Sequence, residues 1–116
     1  MNKICTDINQ SKKLIELGID VNTADMYYFI ADSLKQQEMN YAIRIGTPIV
    51  KTDIPAWSLT ALLGLMSKSI ISTSNPLSTN YCCRNVEFDM DFYADNPVDA
   101  AFEMLVWLKE NNLKEK

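Results

Sequence analysis

The 116 residues contain no histidine. That absence excludes Ser-His-Asp and Cys-His nucleophile systems, imidazole acid–base chemistry, and zinc sites that need an imidazole ligand. Glycine is confined to Gly18, Gly46 and Gly64, so there is no Gly-rich loop to cradle a phosphate. The cysteines, Cys5, Cys82 and Cys83, are odd in number and lack CxxC spacing. They suit a reducing compartment better than a disulfide framework. No apolar run approaches the roughly 20 residues of a membrane span, and the opening MNKICTDINQSKK is too polar for a signal peptide. No cofactor or metal motif is recognisable, so any catalysis would rest on carboxylates, Lys, Tyr, Ser or Cys.

What is there is the composition of one globular domain over residues 1–116, 47% hydrophobic and 22% charged. A net charge of −4 argues against non-specific binding to nucleic acid or to an anionic membrane. The dominant stretch is NPVDAAFEMLVWLKENN, from Asn96 to Asn112. Asn96 suits an N-cap, Pro97 the first helical position, and Asp99 the positive end of the helix dipole. Val98, Ala101, Phe102, Leu105 and Leu108 make one stripe at helical spacing, which Ala100, Met104 and Trp107 widen on one side and Val106 on the other. An apolar arc this wide predicts two neighbours: a sheet beneath, and either a second helix or a second protomer beside it.

In chain order, Asp7 to Leu17 reads as a helix capped by Asp7 with Gln10, or by Thr6, and closed by Gly18. Asp25 to Ala31 and Tyr41 to Ile45 read as strands separated by a polar connector, Asp32 to Asn40. Asp53 to Met66 reads as a second helix, capped by Asp53 or Ile54 with Pro55 in its first turn. Ser69 to Thr73 suits a short edge strand, and Ser74-Asn75-Pro76 a turn. In Asn80 to Phe92, Val86, Phe88, Met90 and Phe92 alternate with Asn85, Glu87, Asp89 and Asp91, the period of a strand with one wet face. The predicted order is α-β-β-α-β-β-α, an α+β domain with a small, mostly antiparallel sheet and helices packed on one face.

Three constellations are candidates for function. Between Arg84 and Lys109 the only charges are carboxylates, among them Glu87, Asp89, Asp91, Asp95 and Asp99. They can solvate a strand face, meet a basic protein partner, or gather round a divalent cation, although Asp89 and Asp91 lack the rest of a calcium loop. Arg44 and Arg84, the sole arginines, suit a small anionic ligand, with Tyr27, Tyr28, Tyr41 and Tyr81 as stacking surfaces. By strand parity with Val86 and Phe88, Arg84 should point to the apolar face and need a partner, either an internal carboxylate or a bound anion. Trp107, Met104, Ala100 and Trp57 are core residues or, if exposed, anchors of a homo-oligomer.

The segments LGIDVNTADMYY, DIPAWSLTALL and YADNPVDAAFEMLVWLKEN resemble a group of small uncharacterised proteins of gut anaerobic bacteria, their phages and mobile elements. The resemblance carries no catalytic or ligand residues with it. It implies an accessory gene product working in the cytoplasm of a bacterial or infected host cell. The leading expectation is a non-catalytic binding protein that sequesters or blocks a host molecule, in its sharpest form a captured nucleotide signal. The alternatives are an immunity or antitoxin-type protein with an acidic binding face, and a carboxylate-dependent enzyme or metal-binding protein.

Overall fold

Local signals at helix ends set the frame. In the computed structural model, which describes residues 3–32, 40–73 and 80–114, Asp7 caps α1 (Ile8–Glu16) in a full capping box with Gln10. Gly18 takes the left-handed conformation that ends the helix, and the Ile19 amide donates to the Leu14 carbonyl at 3.0 Å, folding one buried side chain onto another. Asn96 caps α3 (Pro97–Glu110), with Pro97 leading its first turn. At its other end Asn112 is left-handed and the Leu113 amide donates to Leu108 at 2.9 Å, so both long helices close with the same device.

Between them run β1 (Met26–Asp32), β2 (Asn40–Ile45), β3 (Ile54–Ala56), α2 (Leu59–Gly64), β4 (Ser69–Thr73), β5 (Tyr81–Asn85) and β6 (Met90–Ala94). The α+β class holds, but the described residues form two antiparallel three-stranded sheets, ordered β2-β1-β3 and β4-β5-β6. The expected connector Asp32 to Asn40 falls largely outside the described residues, and the expected turn Ser74-Asn75-Pro76 entirely outside them.

Two departures from the periodicity reading have local causes. The stretch expected to be one helix from Asp53 begins instead as β3, because Pro55 sits in an edge strand opposite Tyr27, where no ladder amide is needed. The helix waits for Ser58, whose hydroxyl accepts from the Ala61 amide and is itself bonded to Asp25 at 2.5 Å. The expected strand from Asn80 to Phe92 folds back on itself. The Asn85 carboxamide oxygen accepts from the amides of Glu87 (3.0 Å) and Phe88 (2.9 Å), and Asp89 adopts a positive φ of 53°. The result is a four-residue turn between β5 and β6. Parity is lost there: Arg84 lies on the outer face with Asp91 opposite, not on the apolar face.

The main core forms where α3 crosses the β4-β5-β6 sheet and meets α2. Leu14, Trp57, Leu62, Met66, Cys83, Val98, Met104 and Leu105 are all buried in it. The wide apolar arc of α3 is therefore used within the chain, by a sheet below and a helix beside. The first sheet has its own small cluster of Cys5, Met26 and Ala56, with Tyr28 and Ile43 against it. Its register sets Met26 and Tyr28 of β1 opposite Ile45 and Ile43 of β2, so all four share one face.

Leu105 is 1% exposed at the centre of the main core. Leu105→Ala is expected to cost about 2–5 kcal/mol in denaturant unfolding. By contrast Ile70→Ser, on the outer face of β4, should change stability by less than about 0.5 kcal/mol.

Candidate functional site

The first sheet presents two faces and an edge. On one face Tyr27 is buried, its ring centre 6.1 Å from that of Phe29, and the Arg44 guanidinium lies 4.8 Å above the Phe29 ring. Across the sheet Tyr28 points the other way, its hydroxyl donating to the Thr6 carbonyl at 2.8 Å with the Cys5 sulfur 3.6 Å away. Burial pushes the Tyr28 phenol well above its ordinary pKa, and the hydrogen bond with Cys5 adds to this. Burial likewise raises the Cys5 thiol, so it stays protonated and unreactive near neutrality. Tyr41 shares the face of Tyr28, opposite Ile30.

Arg84 and Tyr81 belong to β5 in the other sheet. The tyrosines and arginines read from the sequence are thus divided between the two sheets, Arg44 and Tyr27 sharing one face of the first and Tyr28 and Tyr41 the other. Arg84 finds its counter-ions in its own hairpin: Nη1 donates to both oxygens of Asp91 at 3.0 and 3.2 Å, and Nη2 to Asp89. These carboxylates hold the guanidinium pKa up. The pairs are solvent-exposed, so they orient the turn more than they stabilise it. Tyr93, on the same outer face, is raised by its hydrogen bond with Cys82.

The acidic run is likewise divided. Asp89 and Asp91 serve Arg84, Glu87 sits in the turn, and Asp95 is exposed before α3. Asp99 is bound most fully: Lys3 and Gln10 donate to Oδ1 and Asn96 to Oδ2, each at 2.8 Å. Lys3 also donates to Gln10 at 2.7 Å, which ties the start of α1 to the start of α3. Among the described residues, no three Cys, Asp or Glu side chains gather in a way that could hold a metal ion.

Trp57, Ala100 and Met104 are fully buried, and Trp107 packs its ring against Phe88 and Phe92 with centres 6.3 and 6.2 Å apart. The fold takes the first three into its interior and half-buries Trp107 against it. A half-open groove of about 460 Å³ lies between the ends of α2 and α3, floored by Leu65, Leu105, Leu108 and Leu113 with Lys109 at its lip. Leu105 and Leu108 of α3 are already buried in the main core, so the groove floor gains little from a ligand.

The feature that the sequence reading passed over lies at the end of β2 and in the loop that follows it. Ile45 is 81% exposed, Ile49 79% and Val50 57%. The loop carrying the last two is fixed: one Asp53 carboxylate oxygen accepts from the amides of Ile49 (2.9 Å) and Val50 (3.1 Å), and the Asp53 amide donates back to Val50 at 3.0 Å. Three β-branched side chains thus stand in water on an ordered backbone. The clue in the sequence was Pro48-Ile49-Val50-Lys51-Thr52-Asp53, a turn with apolar residues where polar ones are usual.

Comparison with protein families, with curated proteins and with solved structures finds no match. The geometry alone therefore carries the functional reading.

The Asp99 network makes stability depend on pH at both extremes. Burial alone would raise the Asp99 pKa, but the hydrogen bonds from Lys3, Gln10 and Asn96 outweigh it and hold the group below its ordinary 3.8. Burial lowers Lys3, but the hydrogen bonds to Asp99 and Asp7 outweigh it and lift the ammonium above 10.5. The carboxylate contribution is thus complete above the ordinary carboxylate value and lost as pH falls through the lower folded value. The ammonium contribution is complete below the ordinary lysine value and lost as pH rises through the higher folded one. Asp99→Asn should cost about 1–3 kcal/mol at neutral pH. In urea titrations it should also flatten the acid limb of the stability profile relative to the parent protein; an unchanged acid limb would show that the network carries no such linkage.

Proposed function

We propose that the protein is a non-catalytic binding module that works by occupying a partner protein, and that the Ile49-Val50 loop is its contact surface. The observation that carries this reading is the exposure of Ile49 and Val50 on a loop held by Asp53. Folding gains nothing from leaving these side chains in water. Binding does gain, because apolar surface is removed from water while a pre-ordered loop has little conformational freedom left to lose.

Protein is favoured over a nucleotide as the partner class. A captured nucleotide would need a cationic pocket, and Arg44 and Arg84 lie in separate sheets, one stacked on Phe29 and the other engaged by Asp89 and Asp91. The acidic-face alternative loses strength for the same reason, since Asp89, Asp91 and Asp99 already have internal partners. Under the resemblance to phage and mobile-element proteins, the partner would be a protein of the bacterial host, blocked by contact rather than by chemistry.

A photo-crosslinking residue placed at Ile49 or Val50, with exposed Thr60 as control, tests this in bacterial cells. A discrete adduct with another protein is expected from the loop positions alone, and Asp53→Ala, which frees the loop backbone, should reduce it several-fold. Equal labelling at Thr60, or adducts no heavier than two copies of this chain, would count against the reading.

A further inference from the structure

β2 is an outer strand of its sheet. The opposite edge, β3, is blunted in a familiar way, being three residues long with Pro55 at its centre. Among the described residues nothing protects the outward-facing groups of Ile43 and Ile45 in the same way. The β2 sequence, NYAIRI, contains no proline, lysine or carboxylate, and its one charge, Arg44, is drawn over the Phe29 ring on the far face. β4 also lies at an edge, but its Ser69 is buried and Ile71 already packs into the main core. The exposed aliphatic surface is concentrated at β2, where Ile45 is the most exposed large apolar side chain.

The orientation of the β2 backbone follows from one bond. The Gly46 amide donates to the Asp25 carbonyl at 2.8 Å, so Gly46 faces β1. In an antiparallel ladder alternate residues turn their amide and carbonyl to opposite sides. Arg44 and Ala42 therefore bond to β1, and Ile43 and Ile45 aim their backbone groups outward. The side chains of Ile43 and Ile45 stand on the face shared with Met26 and Tyr28.

We infer that the strand filling this edge is β2 of a second copy, antiparallel about a two-fold axis at Ile43. In that register Ile43 meets its own counterpart and Ile45 meets Tyr41 of the other copy, so the exposed isoleucine is covered by an apolar neighbour. Arg44 falls opposite Ala42, so no like charges face each other. The strand is self-complementary in hydrogen bonding, apolar contact and charge, as an isologous contact requires. The product is a continuous six-stranded sheet in the order β3-β1-β2-β2-β1-β3, with two Ile49-Val50 loops left outside the pairing. The inference goes beyond the loop reading and does not depend on it: it concerns the strand edge.

Native mass spectrometry and light scattering over a concentration series should show a dimer, and Ile45→Lys should convert it to a folded monomer. Ile43→Cys should form a disulfide-linked dimer on mild oxidation, because directly opposed residues lie about 5.5 Å apart, within the reach of a disulfide. Ala42→Cys, set opposite Arg44, should not. Background is low, since Cys5, Cys82 and Cys83 are buried. Because Ile45 is exposed, its substitution reads association without loss of fold, even if Ile43→Cys proves unstable. A monomer at every concentration, or a dimer that survives Ile45→Lys, would overturn the inference. A monomer that still gives the Ile49 adduct would leave the loop reading intact, whereas a dimer without that adduct would retire the loop reading and keep the strand pairing.

Discussion

The structure depends on a buried seam between Thr6 and Trp57. The Thr6 amide donates to the Trp57 carbonyl at 2.9 Å, and the Trp57 amide donates to the Thr6 hydroxyl at 3.1 Å. That hydroxyl also bonds Ser11 at 2.8 Å, inside α1, and the Trp57 indole donates to Thr23 at 3.0 Å. Thr6, Ser11 and the Trp57 side chain are all excluded from water, so each of these polar groups must find its partner within the chain. Meeting that demand brings the N-terminal segment, the turn before β1 and the passage from β3 to α2 to one place. From there Trp57 reaches into the main core while Tyr28 ties the first sheet back to the Thr6 carbonyl.

A division of labour follows. The second sheet and α3 are self-sufficient: their apolar faces cover each other, and the charges around them are matched at short range by Arg84 with Asp89 and Asp91, and by Lys3 with Asp99. The first sheet is anchored on one side by Cys5, Met26 and Ala56 and left open on the other. Lys3, Thr6, Ser11, Asp25 and Asp99 are engaged in holding the fold, whereas Ile45, Ile49 and Val50 take no part in the buried core.

Much of the frame was legible in the sequence, because its signals are local. The Asp7–Gln10 box, the Gly18 stop and the Asn96-Pro97-Asp99 start each act within one turn of the residue that announces them. The missed features were settled by competition or by distance. Asn85 could continue a strand or seed a turn, and its carboxamide bonding of two successive amides decided for the turn. Pro55 suits a first helical turn as well as an edge strand, and Asp25, far away in the chain, favoured the strand by bracing Ser58 as the later cap. The candidate site was least legible. Tyrosine and arginine attract notice by residue type, but their placement on separate faces of two sheets is a tertiary fact, and the exposure of Ile49 depends on a carboxylate four residues on.

The central claim is that the open edge of β2 is a working surface and not an idle strand. Amide hydrogen exchange on the intact protein, read residue by residue at high and low concentration, tests it most directly. Ala42 and Arg44, whose amides face β1, should be protected at both concentrations. Ile43 and Ile45 should be protected only at high concentration and exchange freely on dilution. Fast exchange at Ile43 and Ile45 at every concentration would contradict the account.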